Sequence, residues 1–176
     1  MRKNIFDLLD KNRNYAYKQL VRGEKVPEGY YRQVVHIALF NSKGEMLIQQ
    51  RQPFKKPFPN FWDITIGGSV VSGETSMDGA ERELLEELGI EVDFQNARPH
   101  MTINFASGFD DYYVLTKDVD INGLSLQESE VQNIKWATKD EIFELIKENK
   151  FIPYYKNLIG LLFDFQNKPY GSRDEH

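Results

Sequence analysis

Residues 68–90 read GSVVSGETSMDGAERELLEELGI, and the periodicity of this stretch decides what is built around it. On a helix of 3.6 residues per turn, the part from about Thr75 to Leu88 sets Glu83, Glu86 and Glu87 on one stripe, at i, i+3 and i+4. Met77, Leu84 and Leu88 fall on the opposite side, so one face is built for burial and the other gathers negative charge. Like charges at these spacings destabilise an isolated helix by about 0.2–0.5 kcal/mol per pair. Arg82 is the only basic residue set against Glu74, Asp78, Glu81, Glu83, Glu86 and Glu87, and one guanidinium cannot neutralise them all. A divalent cation can. Mg2+ or Mn2+ suits such a donor set, because both prefer oxygen and Mg2+ is held by one or two carboxylates while substrate phosphates and water complete its shell.

Outward from the helix, Trp62-Asp63-Ile64-Thr65-Ile66 reads as a strand leading into Gly67-Gly68, where the backbone can turn and approach a metal or phosphate closely. Gly89 is a helix stop, and Ile90–Phe94 alternates like a further strand. Upstream, Val34–Phe40 and Met46–Arg51 read as two strands joined by the turn Asn41-Ser42-Lys43-Gly44. His36, within the first of them, reads as a histidine held in or near the core. Residues 52–61, QPFKKPFPNF, are a loop, since three prolines forbid a regular interior. Its Lys55 and Lys56 are candidates for phosphate and its Phe58 for stacking on the attached group. Arg51, ending a strand, can donate two parallel hydrogen bonds to a phosphate.

At the N-terminus, short apolar runs around Asp10–Asn14 suggest a small hairpin or extended arm over residues 1–30. Downstream, Met101–Phe105 and Tyr112–Thr116 read as a strand pair joined through 106–111. Residues 117–130 are loop-like and Asn133–Trp136 is a short strand. Thr138-Lys139-Asp140-Glu141 fits a capping box, and a last helix is expected near Pro153, packing through Tyr155, Leu158 and Leu162. Residues 167–176 form a polar tail for which disorder is expected.

The chain of 176 residues is enough for a single well-buried domain. Its net charge of −5 argues against a nucleic-acid polymer as partner and makes the cations near the acidic helix more informative. There is no cysteine, which excludes disulfides, zinc-thiolate sites and a catalytic thiol. With no signal-like or membrane-spanning apolar run, a cytoplasmic protein that does not engage a membrane is expected. A homodimer through the N-terminal arm is compatible with the sequence.

The spacing G-x5-E-x7-R-E-U-x-E-E-x-G-U, with U apolar, is filled by Gly68, Glu74, Arg82, Glu83, Leu84, Glu86, Glu87, Gly89 and Ile90. It resembles the signature box of the Nudix hydrolases. The resemblance implies an α/β fold, an α/β/α sandwich with a mixed β-sheet and the box helix packed on one face, spanning residues 31–166. Trp62, Leu84, Leu88, Val114 and Trp136 are its expected core members. It implies divalent-metal-dependent hydrolysis of a pyrophosphate bond in a nucleoside diphosphate derivative, by water attack at phosphorus. Glu86 and Glu87 would be the principal metal ligands, Glu83 a further ligand or a partner of metal-bound water, and the Gly68 carbonyl another ligand. Glu74 and Arg82 read as an ion pair shaping the loop–helix junction, with orientation of a catalytic carboxylate as the alternative for Arg82. The family places its general base within the box or on a later loop. Here that loop offers Glu128 and Glu130, and Asp110 and Asp111 compete with them.

Residues RGEKVPEGYYRQVVHIALFNSKGEMLIQQR and PNFWDITIGGSVVSGE are similar to the branch that includes isopentenyl-diphosphate isomerase and related hydrolases. That isomerase needs a cysteine just before the box glycine and a histidine just after it. This chain has Gly67 and Ser69 there, so hydrolysis is expected over isomerisation. A non-catalytic nucleotide-binding module is the other alternative, opposed by the intact glutamates. Val71 stands where many such boxes carry an acidic residue, which reduces outer support for a metal.

Overall fold

β-Branched and apolar side chains make residues 32–40 the strand on which the rest is assembled. The computed structural model describes residues 4–95, 97–166, 171 and 173. In it β3 (Arg32–Phe40) pairs in parallel with β8 (Gly108–Thr116) and antiparallel with β6 (Ile66–Ser69). Around them run β4 (Met46–Arg51), the two-residue β5 (Trp62–Asp63), β7 (Met101–Phe105) and β9 (Val131–Ala137), in the order β5-β4-β3-β8-β7 with β9 on β4. The sheet is mixed. Before it, β1 (Ile5–Leu9) and β2 (Tyr15–Val21) form an antiparallel hairpin.

Alternation along β3 divides the interior in two. Val35, Ile37 and Leu39 face α1 (Ser76–Leu88) and pack with Ala80, Leu84, Leu88 and Tyr113. Ala38 and Phe40 face the other way, onto Ile142 of α2 (Lys139–Lys147) and Ile159, Leu162 and Phe163 of α3 (Lys156–Phe165). Helices thus cover both faces of one mixed sheet, an α/β/α sandwich. Thr75 caps α1 by accepting from the Asp78 N–H while the Asp78 carboxylate accepts from the Thr75 N–H, and Gly89 ends the helix in the left-handed conformation at φ 68°. Thr138 and Glu141 form the expected capping box at α2. Of the expected core members Leu84, Leu88 and Val114 are buried, whereas Trp62 and Trp136 are only partly so.

Several boundaries depart from the sequence reading. Ile90–Phe94 is not a strand. Its apolar side chains are claimed by tertiary packing under α1, with Phe94 edge-on to Tyr113, so its backbone joins no ladder. The stretch Trp62–Ile66 breaks at Ile64–Thr65, because the Thr65 side chain inserts between strands, donating to the Leu47 carbonyl and accepting from the Leu39 N–H. Gly67 and Gly68 are consequently strand residues of β6 and not a turn. The β7–β8 hairpin closes through Ala106-Ser107 alone, so Asp110 and Asp111 lie in a strand. Tyr155 is 86 % exposed and packs on nothing in the core; the last helix starts after it, while Leu162 is buried as expected. Apart from Gly171 and Arg173, the polar tail 167–176 lies outside the described residues. No described helix is long and apolar enough to cross a membrane.

Candidate active site

The acidic stripe of α1 forms one wall of a cleft of about 500 Å3. Glu83, Glu86 and Glu87 reach it from the helix and Gly67, Gly68 and Ser69 from β6; Glu130 and Gln127 come from the loop before β9. Arg51, Lys55 and Lys56 line it from the end of β4 and the proline-rich loop, and Asn4 and Arg22 from the N-terminal hairpin. Of the substrate residues expected from sequence, only Phe58 lies outside the cleft wall; it rests on Phe61, with ring centroids 5.5 Å apart.

Glu87 is 6 % exposed and one of its oxygens accepts from Gln49 Nε2 at 3.0 Å. Burial, then the neighbouring Glu83 charge, push its carboxyl up to about 8, with Glu130 and Asp63 adding to the same effect. Burial likewise pushes Glu83 up, against the pull of Arg82. Arg82 touches the groups that both alternatives name. Its Nε and Nη2 grip Glu74 at 2.6 and 3.0 Å, Nη2 also reaches the Ser69 carbonyl at 3.0 Å, and Nη1 touches Glu83 at 3.0 Å and Glu86 at 3.5 Å. The Glu74–Arg82 pair therefore ties the β6–α1 loop to the carboxylate face. Arg51 donates from Nη2 to the Pro57 carbonyl at 3.2 Å, and its Nε, which is buried, has no hydrogen-bond partner in the protein.

Among the described residues no three histidine, aspartate or glutamate groups are gathered as a ready-made metal cage. The donor chemistry nonetheless fits a hard cation. The carboxylates of Glu83, Glu86 and Glu87 line one side of the cleft beside the Arg82 guanidinium, and the most deeply buried of them, Glu87, is pushed toward its neutral form by burial. A divalent ion would oppose that push.

The shortlist for a general base is spread apart. Glu130 lines the cleft, with its Oε2 on Lys55 Nζ at 2.5 Å, whereas Glu128 is exposed and outside it. Asp110 pairs with His36, and Asp111 accepts from Arg13, Gln33, Ser76 and Thr102; neither lines the cleft. Arg22, Asn4 and Gln127 were not singled out from sequence. Nothing in the spacing links the hairpin to the box; the link is Asp7, whose carboxylate accepts from Ser72 Oγ and the Gly73 N–H and so bolts the hairpin onto the loop ahead of α1.

Gly68 sits so close to the Glu83 side chain that any Cβ there would occupy the same space. Gly68→Ala is expected to displace Glu83 without altering any charge. Divalent-ion affinity by titration calorimetry should fall about 10–100-fold, the range seen when the support of metal ligands is disturbed, with the far-UV circular dichroism spectrum retained.

A mixed sheet is covered on both faces, and its carboxylate-bearing helix is set against cationic side chains across a cleft. The chain matches the NUDIX domain over residues 30–158 and belongs to the Nudix family of pyrophosphohydrolases. It is 43 % identical to an uncharacterised Nudix hydrolase of Listeria innocua over 162 residues, 92 % of this chain and 95 % of that one. The crystal structure of DR0079 from Deinococcus radiodurans superposes with a TM-score of 0.71 at 27 % identity, covering 90 % of this chain and 96 % of the other. An isopentenyl-diphosphate Delta-isomerase of Camptotheca acuminata is 31 % identical over 133 residues, 64 % of this chain and 55 % of the isomerase.

Proposed function

We propose that this protein is a divalent-metal-dependent pyrophosphohydrolase that cleaves the diphosphate of a nucleoside diphosphate derivative by water attack at phosphorus. The observation that carries this reading is the burial of the Glu87 carboxylate beside Glu83 and Glu86 in a cleft it shares with Arg22, Arg51 and Lys56. Glu83, Glu86 and Glu87, with the Gly68 carbonyl, would hold Mg2+ or Mn2+. When bound, such an ion neutralises phosphate charge and lowers the pKa of a coordinated water.

The remaining work falls to the chain. Arg51 and Lys56 bind the diphosphate from the loop side and Arg22 from the hairpin side, orienting the phosphorus toward the acidic stripe. Glu130 takes the proton of the attacking water at a carboxylate oxygen, with Lys55 steadying its position. Gln49 holds Glu87 in place through the carboxylate it donates to. Alkene isomerisation has no supporting side chains: the chain holds no cysteine, and at Gly67 a Cβ would stand only 2.9 Å from His36 Nε2.

The test is a panel of nucleoside diphosphates, nucleotide sugars and nucleoside triphosphates, incubated with Mg2+ or Mn2+ in 18O-labelled water beside an assay for isopentenyl-diphosphate isomerisation. Ion-dependent cleavage, label in one product phosphate and no isomerisation are expected. Turnover that persists in excess chelator, or isomerisation without hydrolysis, overturns the reading.

A further inference from the structure

Behind the cleft wall lies a polar chain that the proposed chemistry does not use. Asp63 is 4 % exposed, on the short strand β5 opposite Gln49 of β4. Its Oδ1 accepts from the Ile64 N–H at 2.8 Å and from the Tyr154 hydroxyl at 2.9 Å, and its Oδ2 faces Arg51 Nη1 at 4.0 Å. The Tyr154 hydroxyl lies 3.4 Å from His36 Nε2, and His36 Nδ1 pairs with Asp110 Oδ1 at 2.5 Å. Tyr112 stacks on the His36 ring with centroids 4.9 Å apart and donates to Asp110 Oδ2 at 3.1 Å.

Buried polar groups are an expensive way to fill such a space, since an apolar replacement of both partners is often neutral or stabilising. What this chain of groups does provide is a fixed direction. Asp63 is the one carboxylate ion-paired with the Arg51 guanidinium among the described residues, and its own aim is set by Tyr154 from the far side. With the Pro57 carbonyl accepting from Nη2 and the Asp63 carboxylate facing Nη1 at 4.0 Å, the Arg51 side chain lies between an acceptor and an opposite charge while lining the cleft.

We infer that Asp63 is a positioning residue for Arg51, and that Tyr154, His36 and Asp110 form the hydrogen-bonded chain that keeps the Asp63 carboxylate aimed at the guanidinium. This rests on the reading of the cleft as a diphosphate site. Asp63→Asn keeps the shape and removes the charge, and Tyr154→Phe removes one oxygen. Neither alters a side chain of the acidic stripe; Tyr154→Phe also keeps every charge, whereas Asp63→Asn removes one of the charges that push Glu87 up.

Two readouts separate aim from scaffold. The first is equilibrium binding of methylenediphosphonate, a non-hydrolysable diphosphate, in saturating Mg2+ by titration calorimetry; the second is KM against kcat on the best substrate of the panel. Asp63→Asn is expected to weaken binding and raise KM about tenfold with kcat within about threefold, and Tyr154→Phe to move KM the same way by about threefold. Arg51→Ala should lose at least as much as Asp63→Asn, and the Arg51→Ala/Asp63→Asn pair should be no worse than Arg51→Ala alone, because the two act as one unit. Equal binding by Asp63→Asn and the parent, or losses that add in the double variant, overturn the inference and leave the hydrolase reading standing. If Asp63→Asn does not fold, Tyr154→Phe decides: an unchanged KM overturns the inference. A parent that neither binds nor cleaves any diphosphate overturns both.

Discussion

Glu87→Gln is expected to lower turnover about 10^2–10^3-fold while leaving the fold intact, the scale on which removal of a single charge-stabilising group acts in a preorganised site. Glutamine preserves the size of the side chain and keeps an oxygen for Gln49 Nε2, so the 3.0 Å contact survives in outline and only the charge is lost. A product-release assay at saturating Mg2+ measures the loss. Turnover within a few-fold of the parent would remove Glu87 from the metal site.

The same residue sets a pH signature. Its folded pKa of about 8 lies above the ordinary value of 4.5, so the proton is held more tightly in the folded chain than in the unfolded one. That contribution to stability is complete below about pH 4.5 and is lost as pH rises through 8. In excess chelator the parent should therefore lose thermal stability relative to Glu87→Gln as pH rises between these limits. Divalent-ion uptake, which displaces the proton, should weaken as pH falls below about 8 and should release a proton on binding. Denaturation midpoints and calorimetry in buffers of different ionisation heat check both.

Asp111→Ala carries the largest expected cost in stability. Its carboxylate is 0 % exposed and accepts from Arg13 at 2.6 and 3.0 Å, Gln33 at 2.7 Å, Ser76 at 2.7 Å and Thr102 at 2.5 Å. It joins the hairpin tip, β3, the start of α1 and β7. Burial alone would push its pKa up, but the hydrogen bonds from Arg13, Thr102, Ser76 and Gln33 hold it below the usual carboxylate range. Removing it orphans several donors at once and should cost about 3–5 kcal/mol, or roughly 10 °C in the denaturation midpoint for a domain of this size. Asp111→Asn should lose less, since it keeps one acceptor oxygen. The depressed pKa makes this contribution present above the ordinary carboxylate value and lost as pH falls through the folded one, so the gap between parent and Asp111→Ala should narrow in acid. A midpoint unchanged at neutral pH would show that the network carries no net stability.

Local pattern sufficed wherever the determining contacts are a few residues apart. The facing of Leu84 and Leu88 and the clustering of Glu83, Glu86 and Glu87 follow from a 3.6-residue period, and the stop at Gly89 from its being a glycine. The strand Met46–Arg51 and the capping box at Thr138 were equally legible, whereas the box at Thr75 and Asp78 was not read. Ile90–Phe94 was misread because alternation records that side chains seek burial, not that the backbone will find a partner strand. Tyr155 was misplaced for a related reason, since an aromatic next to a helix start satisfies an apolar pattern from either side of the surface.

What the sequence by itself determined was the helix Ser76–Leu88, the family and the clustering of Glu83, Glu86 and Glu87 on one helix face, because helix geometry converts spacing directly into proximity. Only the tertiary structure decided which distant groups face that cluster. Arg22 reaches the cleft from the hairpin, Glu130 faces it while Glu128 does not, and Asp111 is buried as a structural hub. These placements depend on the parallel pairing of β3 with β8 and on the Asp7 contacts that seat the hairpin. Such contacts join residues far apart along the chain, and no local period encodes them.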